Sequence, residues 1–503
     1  MADGPYLLGL DCGLTLTKAV VFDLDGSEVG AGEARPAQVT RRPRWVERDL
    51  DEAWSACVTA IRGALADSGV DGSAIAAVGP TAHGDSLYPI DGHGRPVRPA
   101  ILSLDSRAHG ILDRWRAEQR LDRALDITGQ VPFASMLAPV LTWLRENEPE
   151  SLARMRWALG CKDWIRYRLT GEIATDFTEA SATFTDVRTQ TYADDAFALY
   201  DLADLRERLP PVVGCAEVAG YVVPAAAAET GLVAGTPVAG GAHDVDATAV
   251  GAGCVHPGQL MMVAGTWSIN EVIADRPATD ARWVCRNFVE PGRWLAAGWS
   301  PASATNLEWF VRELCPVEVL AAEAHGDSPY AFVNDEAAAV WHEPSRLVFH
   351  PFLYGSPYGD AASAAFLGLR GWHRRGHLLR AVLEGVTFNH RTHVEALRSS
   401  FPVSEARLGG GGAQSALWSQ LFADALNLPV LTTDAKEAGA RGAALLAGVA
   451  AGVYSSLVDA ATHATHVLHR YEPDEDRHVS LLAAYDSYRA AIDALTPVWP
   501  QLE

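Results

Sequence analysis

Tyr6-Leu7-Leu8-Gly9-Leu10-Asp11-Cys12-Gly13-Leu14-Thr15-Leu16-Thr17-Lys18-Ala19-Val20-Val21-Phe22 is the stretch whose reading decides the fold. Tyr6–Leu10 is a short apolar strand and Lys18–Phe22 is a second. The segment between them, Asp11 to Thr17, is a small polar loop. The turn Asp23-Leu24-Asp25-Gly26 leads to a third strand near Glu28–Ala34, which completes a β-meander. The loop has a chemistry of its own. Small residues such as Gly13 let backbone N–H groups approach an anion, and the Thr15 and Thr17 hydroxyls add donors. Lys18 offers a point charge to phosphate. Asp11 is a hard oxygen ligand that can hold Mg²⁺ through water. The same residues also make an ordinary tight hairpin, so the loop alone leaves both readings open.

Outward from this hairpin, Asp51–Ser68 is periodic and bounded by Gly69, which predicts an amphipathic helix. Ile75–Val78 reads as a buried strand. Hairpins followed by helices predict an α/β domain with a mixed sheet. The pattern recurs later. Gly258–Ala264 reads as a strand, Gly265-Thr266-Trp267-Ser268 as a polar loop, and Ile269–Ile273 as a returning strand. Helices follow at about 374–399 and 416–426. The two halves suggest a duplicated architecture, with domains at 1–247 and 248–503 and the break near Asp244–Gly253. Two facing hairpin loops can clamp a polyphosphate between the domains, and Gly265 and Thr266 then join the first loop in binding. The glycine run Gly409–Gly412, continuing into Ala413, enters a helix. At Gly410, Gly411, Gly412 and Ala413 a flat base or sugar can approach closely, next to free helix N–H donors.

Composition narrows the partners. The net charge of −22 argues against nucleic acid and anionic membranes, so bound phosphate must be held by local donors, isolated cations and metal. No stretch reaches the roughly 18 apolar residues of a membrane helix, and Met1–Gly4 does not read as a signal peptide. Seven scattered cysteines without a CxxC pair predict a reducing cytoplasm and no zinc site. Cys12 reads as a small buried thiol. Only Lys18, Lys162 and Lys436 are lysines among the 41 basic residues. Under an arginine-favouring bias, a surviving lysine marks a place where a guanidinium does not fit, a reading applied here to Lys18.

Further motifs carry a family resemblance. Ala364-Ala365-Phe366-Leu367-Gly368-Leu369, His377-Leu378 and Ala381-Val382-Leu383-Glu384 resemble the C-terminal signature of the FGGY family of carbohydrate kinases. The likeness covers nearly the whole chain. Around Ser135–Trp143 the family usually has a lysine where Val140 stands, which suggests a subgroup. Gly9–Gly13, Pro210–Gly214, Gly265–Trp267, Asn306–Phe310 and Pro351–Ser356 are most similar to the L-xylulose/3-keto-L-gulonate kinases of that family. The resemblance implies a two-domain actin-like ATPase (ribonuclease H-like) fold with an interdomain cleft. It also implies ATP and Mg²⁺ as cofactors and a small-molecule sugar as substrate.

It further implies roles for residues. Gly240-Gly241-Ala242-His243-Asp244 looks like the segment that carries the family's catalytic aspartate, so Asp244 is the expected general base and a substrate contact, with Asp246 its rival. Thr81-Ala82-His83-Gly84 is similar to a Met-His-Gly stretch of xylulokinases, which puts His83 and Gly84 at the sugar. Pro99–Arg107 resembles a strand ending in Asp-x-Arg. Asp105 and Arg107 there bind sugar hydroxyls or form an internal ion pair. Trp267 is expected to pack under its loop, and Trp309 and Trp418 to serve as core or adenine-pocket walls. The resulting expectation is a cytoplasmic ketose kinase, with a homodimer among the assemblies considered. The alternatives are a polyol kinase for erythritol or glycerol, and a sugar-sensing pseudokinase of the actin fold. The presence of both Asp11 and Asp244 argues against the last.

Overall fold

The opening stretch forms the expected hairpin, but a tighter one. In a computed structural model that describes residues 4–502, the first strand runs Tyr6–Cys12 and the second Thr17–Phe22. Asp11 pairs with Lys18 and Cys12 with Thr17, because the antiparallel ladder continues past the last apolar residue. The polar loop therefore shrinks to Gly13–Leu16, and Asp11, Thr17 and Lys18 sit on rigid strands. Glu28–Ala34 adds the third strand as predicted. The helix Leu50–Ser68 starts at Asp49, whose carboxylate accepts from the N–H groups of Asp51 and Glu52 at 2.8 and 3.1 Å. It ends at Gly69 in the left-handed region. A further helix, Pro224–Thr230, has proline at its first position.

The residues pack into two compact units. The first holds residues up to Pro257 together with Ile273–Ala296 and Ala435–His466; the second holds Gly258–Val272, Ala297–Asp434 and the chain from Val467. A single cut at 247/248 does not follow this grouping. The reason is visible in the helix Ala438–Ala450, which lies on the strands Tyr6–Cys12 and Ile75–Ala82 of the first unit. Contact is backbone to backbone: a Cβ at Gly9 would stand 1.9 Å from Ala440 O, and one at Gly79 would stand 1.8 Å from Ala443 O. Only glycine at these two strand positions admits a helix so closely.

The sheet of the first unit runs in the order Val218–Tyr221, Pro237–Ala239, Ile75–Ala82, Tyr6–Cys12, Thr17–Phe22, Glu28–Ala34, with Ala242–His243 also on Ile75–Ala82. Tyr6–Cys12, Ile75–Ala82 and Ala242–His243 are parallel. Their apolar residues, among them Leu8, Leu10, Val78 and Ala82, pack with Trp54, Ile61 and Trp164 in one buried cluster.

The second unit repeats the device. Gln259–Ala264 is antiparallel to Ser268–Ala274 and parallel to Glu405–Gly409, with Val430–Thr433 and Val467–Tyr471 beyond. The glycine run does not enter a helix directly. Gly411–Gln414 is one 3₁₀ turn, and Ser415 then caps the helix Ala416–Leu426, its Oγ accepting from Trp418 N–H at 3.1 Å.

The long helix Arg375–Arg398 buries three histidines in this unit, His377, His390 and His393, and the last two meet buried polar side chains. His390 Nδ1 lies 2.8 Å from Asn270 Oδ1, and His393 Nε2 lies 3.1 Å from Ser300 Oγ. Burial, with the His393 charge adding, lowers His390 to about 3, and burial lowers His393 to about 4. Both lie below the unfolded value near 6.5, so the folded state binds fewer protons. The stability they contribute is whole above about pH 6.5. It is lost as pH falls toward 4 and 3, by at most about 1.4 kcal/mol per pH unit for each group. Urea unfolding of the second unit's tryptophan signal should therefore shift to lower urea between pH 7.5 and pH 5. A His393→Gln variant should show a shallower dependence; equal midpoints at both pH values would mean that the pair is not held neutral.

Candidate active site

Three parallel strands of the first unit end side by side. Cys12 pairs with Ala82, and Ala82 pairs with His243. The residues at and just past these ends are Asp11, His83 and Asp244, so the topology gathers three residues that lie far apart in sequence. The carboxyl ends of parallel strands are where α/β sheets bind ligands. His83 N–H donates to Cys12 O at 3.2 Å, which ties the second strand end to the first.

Asp244 begins the helix Asp244–Gly251, where an anion is favoured by the helix dipole. The residue is half-buried, and one oxygen accepts from Val245 N–H at 2.8 Å. His243 Nδ1 stands 2.9 Å from the same oxygen. It is not aligned for a hydrogen bond, so the contact is chiefly charge on charge. Burial opposes charge on both partners, yet the pair overcomes it. The His243 contact and charge, with help from His83 and Val245 N–H, hold the Asp244 carboxyl below its ordinary value. Reciprocally, Asp244 and the Glu179 charge raise His243 to about 9 against its own burial. At neutral pH the pair is an ionised carboxylate beside an imidazolium.

His83 is the opposite case. It is buried, and that burial, with the Arg48 charge adding, lowers it to about 4. Its Nε2 is 3.5 Å from the Tyr88 hydroxyl. A neutral imidazole can both donate and accept, as a sugar hydroxyl or ketone requires. Gly84 makes room: a Cβ there would lie 1.7 Å from His243 Nε2.

Asp11 is pushed up to about 7, first by burial and then by the charges of Asp244 and Glu437, against which Lys18 works. Lys18 Nζ lies 2.5 Å from Glu437 Oε1. The surplus of negative charge around Asp11 suits a cation. No group of three or more clustered metal-ligating side chains occurs among the described residues, so such a cation would complete its shell from water and phosphate. Asp105 belongs to a different arrangement. Its oxygens accept from Val46 N–H at 2.7 Å and from Arg107 N–H at 2.9 Å, and the Arg107 guanidinium reaches both Asp105 and Glu47 at 2.8 and 2.9 Å while covering the Trp45 ring. Of the two readings of this pair, the structure displays the internal ion pair.

The second unit carries a pocket of about 550 Å³. Gly265, Thr266, Gly411, Gln414 and Trp418 line it, together with Tyr330 and Asn334. Gly410, Gly412 and Ala413 belong to the same turn, with Gly410 at φ 79°. Trp418 is buried and donates to Thr387 Oγ1 at 3.0 Å, whereas Trp309 is half-buried and outside the lining. Trp267 is 41% exposed rather than packed under its loop. Ser268 next to it turns inward and starts the strand, so alternation sends the indole out.

Buried charges behind Asp244 were not legible in the sequence. Lys162 has no exposure and pairs with Asp176, with Glu179 at 3.6 Å and Asp163 at 4.0 Å. Arg286 binds Asp85 through two contacts of 2.9 and 3.1 Å and donates to Gln130 at 2.8 Å. The rarity of lysine was the available signal for Lys162. It fits that position better than Lys18, which is partly exposed.

The chain matches known proteins along most of its length. Residues 6–251 match the N-terminal domain, and 260–451 the C-terminal domain, of the FGGY family of carbohydrate kinases. An L-xylulose/3-keto-L-gulonate kinase of Escherichia coli (strain K12) is 34% identical over 97% of both chains. A probable L-xylulose kinase of Haemophilus influenzae is 32% identical, covering 97% of this chain and 99% of that protein. The crystal structure of xylulose kinase from Rhodospirillum rubrum is 28% identical with a TM-score of 0.88, over 98% of this chain and 99% of that one.

Proposed function

The chain belongs to the FGGY family of carbohydrate kinases, and from that premise we propose that it phosphorylates the terminal hydroxyl of a ketose, with Asp244 as general base. It is an enzyme, a sugar kinase that takes its phosphate from ATP. Within the family we assign the substrate to pentuloses such as L-xylulose or D-xylulose, or to 3-keto-L-gulonate. The observation that carries the base is the Asp244–His243 pair at the strand ends. A sugar hydroxyl is a poor nucleophile at neutral pH, and a carboxylate within about 2.6–3.2 Å can take its proton. The imidazolium of His243 keeps that carboxylate ionised. Neutral His83 offers a donor or an acceptor to the sugar, and Gly84 leaves room for the His243 ring.

ATP fits the second unit's pocket, whose volume lies within the usual range of about 300–1,000 Å³ for small-molecule sites. We assign Gly265 and Thr266, with Gly410–Ala413, to the nucleotide. Gly13, Thr15, Thr17 and Lys18 of the first unit are assigned to phosphate binding. Mg²⁺ would be held by Asp11, where it would neutralise charge developing on the transferred phosphoryl group. Among the described residues no helix is long and apolar enough to cross a membrane, and all seven cysteines are buried and unbridged; both features agree with the proposed cytoplasmic location.

A turnover panel tests the substrate class. Release of ADP is measured with L-xylulose, D-xylulose, 3-keto-L-gulonate, erythritol and glycerol. At least one ketose should exceed both polyols in kcat/KM by tenfold or more. Idle ketoses beside an active polyol would reject the assignment.

A further inference from the structure

Thr178 stands behind the turn that carries Asp244, and its hydroxyl is used in both directions. It is buried on the short helix Phe177–Ala180. Its Oγ1 donates to Asp176 Oδ1 at 2.5 Å, which fixes the hydroxyl proton on that side. The oxygen then accepts from His243 N–H at 2.8 Å. Asp176 is itself held at several points. It takes N–H groups from Thr178 and Glu179 at 3.0 and 3.3 Å and forms the ion pair with Lys162. The opposite side of the same segment is held by Thr81, whose Oγ1 donates to Ala242 O at 2.7 Å, and by the parallel pairing of Ala242 and His243 with Thr81 and Ala82. The two residues before Asp244 are thus pinned by two threonine hydroxyls, one on a carbonyl and one on an N–H.

We infer that Thr178 is a positioning residue for the catalytic base, and this rests on the reading of Asp244 as that base. The Thr178–His243 hydrogen bond sets the tilt of the peptide that leads into Asp244. Because His243 carries the charge partner of Asp244, the same bond also sets the distance between imidazolium and carboxylate. Transfer is sensitive to such placement: a 1 Å shift of a reacting group can cost about 10²-fold in rate. Thr178 is buried and its hydroxyl is taken up by Asp176 and His243, so its loss should leave substrate binding alone.

The test compares Thr178→Val, which keeps the shape and removes the hydroxyl, with Thr178→Ser, which keeps the hydroxyl. Asp244→Asn serves as reference. Each full-length variant is assayed for ADP release with the panel sugar that the unaltered enzyme turns over best, and unfolded in urea. Thr178→Val should lose about 10- to 100-fold in kcat with KM for sugar and ATP within about threefold, and Thr178→Ser should stay within about threefold of the unaltered kcat. The inference is overturned by a Thr178→Val kcat within twofold of the unaltered enzyme, or by KM rising as much as kcat falls. It is equally overturned if the serine variant loses as much as the valine one. An active Asp244→Asn enzyme would sink the base assignment itself, whereas an inactive one beside a fully active Thr178→Val enzyme would sink only the positioning role.

Discussion

Asp244→Asn should lower kcat for sugar phosphorylation by about 10²–10⁴ while nucleotide still binds the second unit with unchanged affinity. Asparagine keeps the size of the side chain at the first position of the helix Asp244–Gly251, so the segment retains its path. What disappears is the proton acceptor. The charge partner of His243 goes with it, and burial, the largest influence on that imidazole, then favours its neutral form. Asp246 cannot take over. It is buried with one oxygen lacking any partner, and burial, with the Asp176 and Asp244 charges adding, raises it to about 8. A carboxyl in that state is largely protonated at pH 7, so it takes no proton from a sugar hydroxyl. An Asp246→Asn control should therefore stay within a few-fold of the unaltered kcat. The measurements are ADP release for turnover and calorimetric titration for nucleotide. Sugar phosphorylation retained by Asp244→Asn, or lost in Asp246→Asn alone, would move the base to another residue.

Asp244 was legible in the sequence only as part of a Gly-Gly segment with a family likeness; its electrostatics were not. The hairpins were legible because the apolar runs in Tyr6–Leu10 and Gly258–Ala264 are each followed by a small polar loop. The helix Ala416–Leu426 has the bounds its pattern predicts. Strand ends were less visible. Asp11 and Cys12 extend a strand through backbone pairing, to which side-chain polarity gives no clue. The grouping of segments was hidden for a related reason. The helix Ala438–Ala450 joins the first unit through contacts at Gly9 and Gly79, whose evidence is the lack of a side chain. The charges behind Asp244 were hidden because Lys162, Asp176 and Glu179 occupy positions that a pattern reading assigns to a solvated face. Desolvation and pairing depend on the fold around them.

Lys162→Met should cost about 3–5 kcal/mol of stability, because it strips a buried cation from carboxylates that remain buried. Methionine fills the volume of the lysine stem, so packing is conserved and the loss is electrostatic. In the unaltered chain Asp176 stays below its ordinary value despite burial, held there by Lys162, with Thr178 assisting. Glu179, also buried and also facing Lys162, is already raised to about 7. Without the cation Asp176 should rise above its ordinary value and Glu179 should rise further. A carboxyl raised above its unfolded value takes up a proton in the folded state first. Its stability contribution is present at low pH and is lost as pH climbs through the folded value. The deficit of Lys162→Met, measured by urea unfolding of the first unit, should therefore be smaller at pH 6 than at pH 8. A deficit below about 1 kcal/mol, or one that does not change between these pH values, would show that the cluster is held by packing rather than by charge. The same experiment bears on catalysis. Asp176 is the anchor of Thr178, so a protonated Asp176 weakens the bond that holds the His243 peptide. Residual activity in Lys162→Met should be limited by kcat, with KM for sugar little changed.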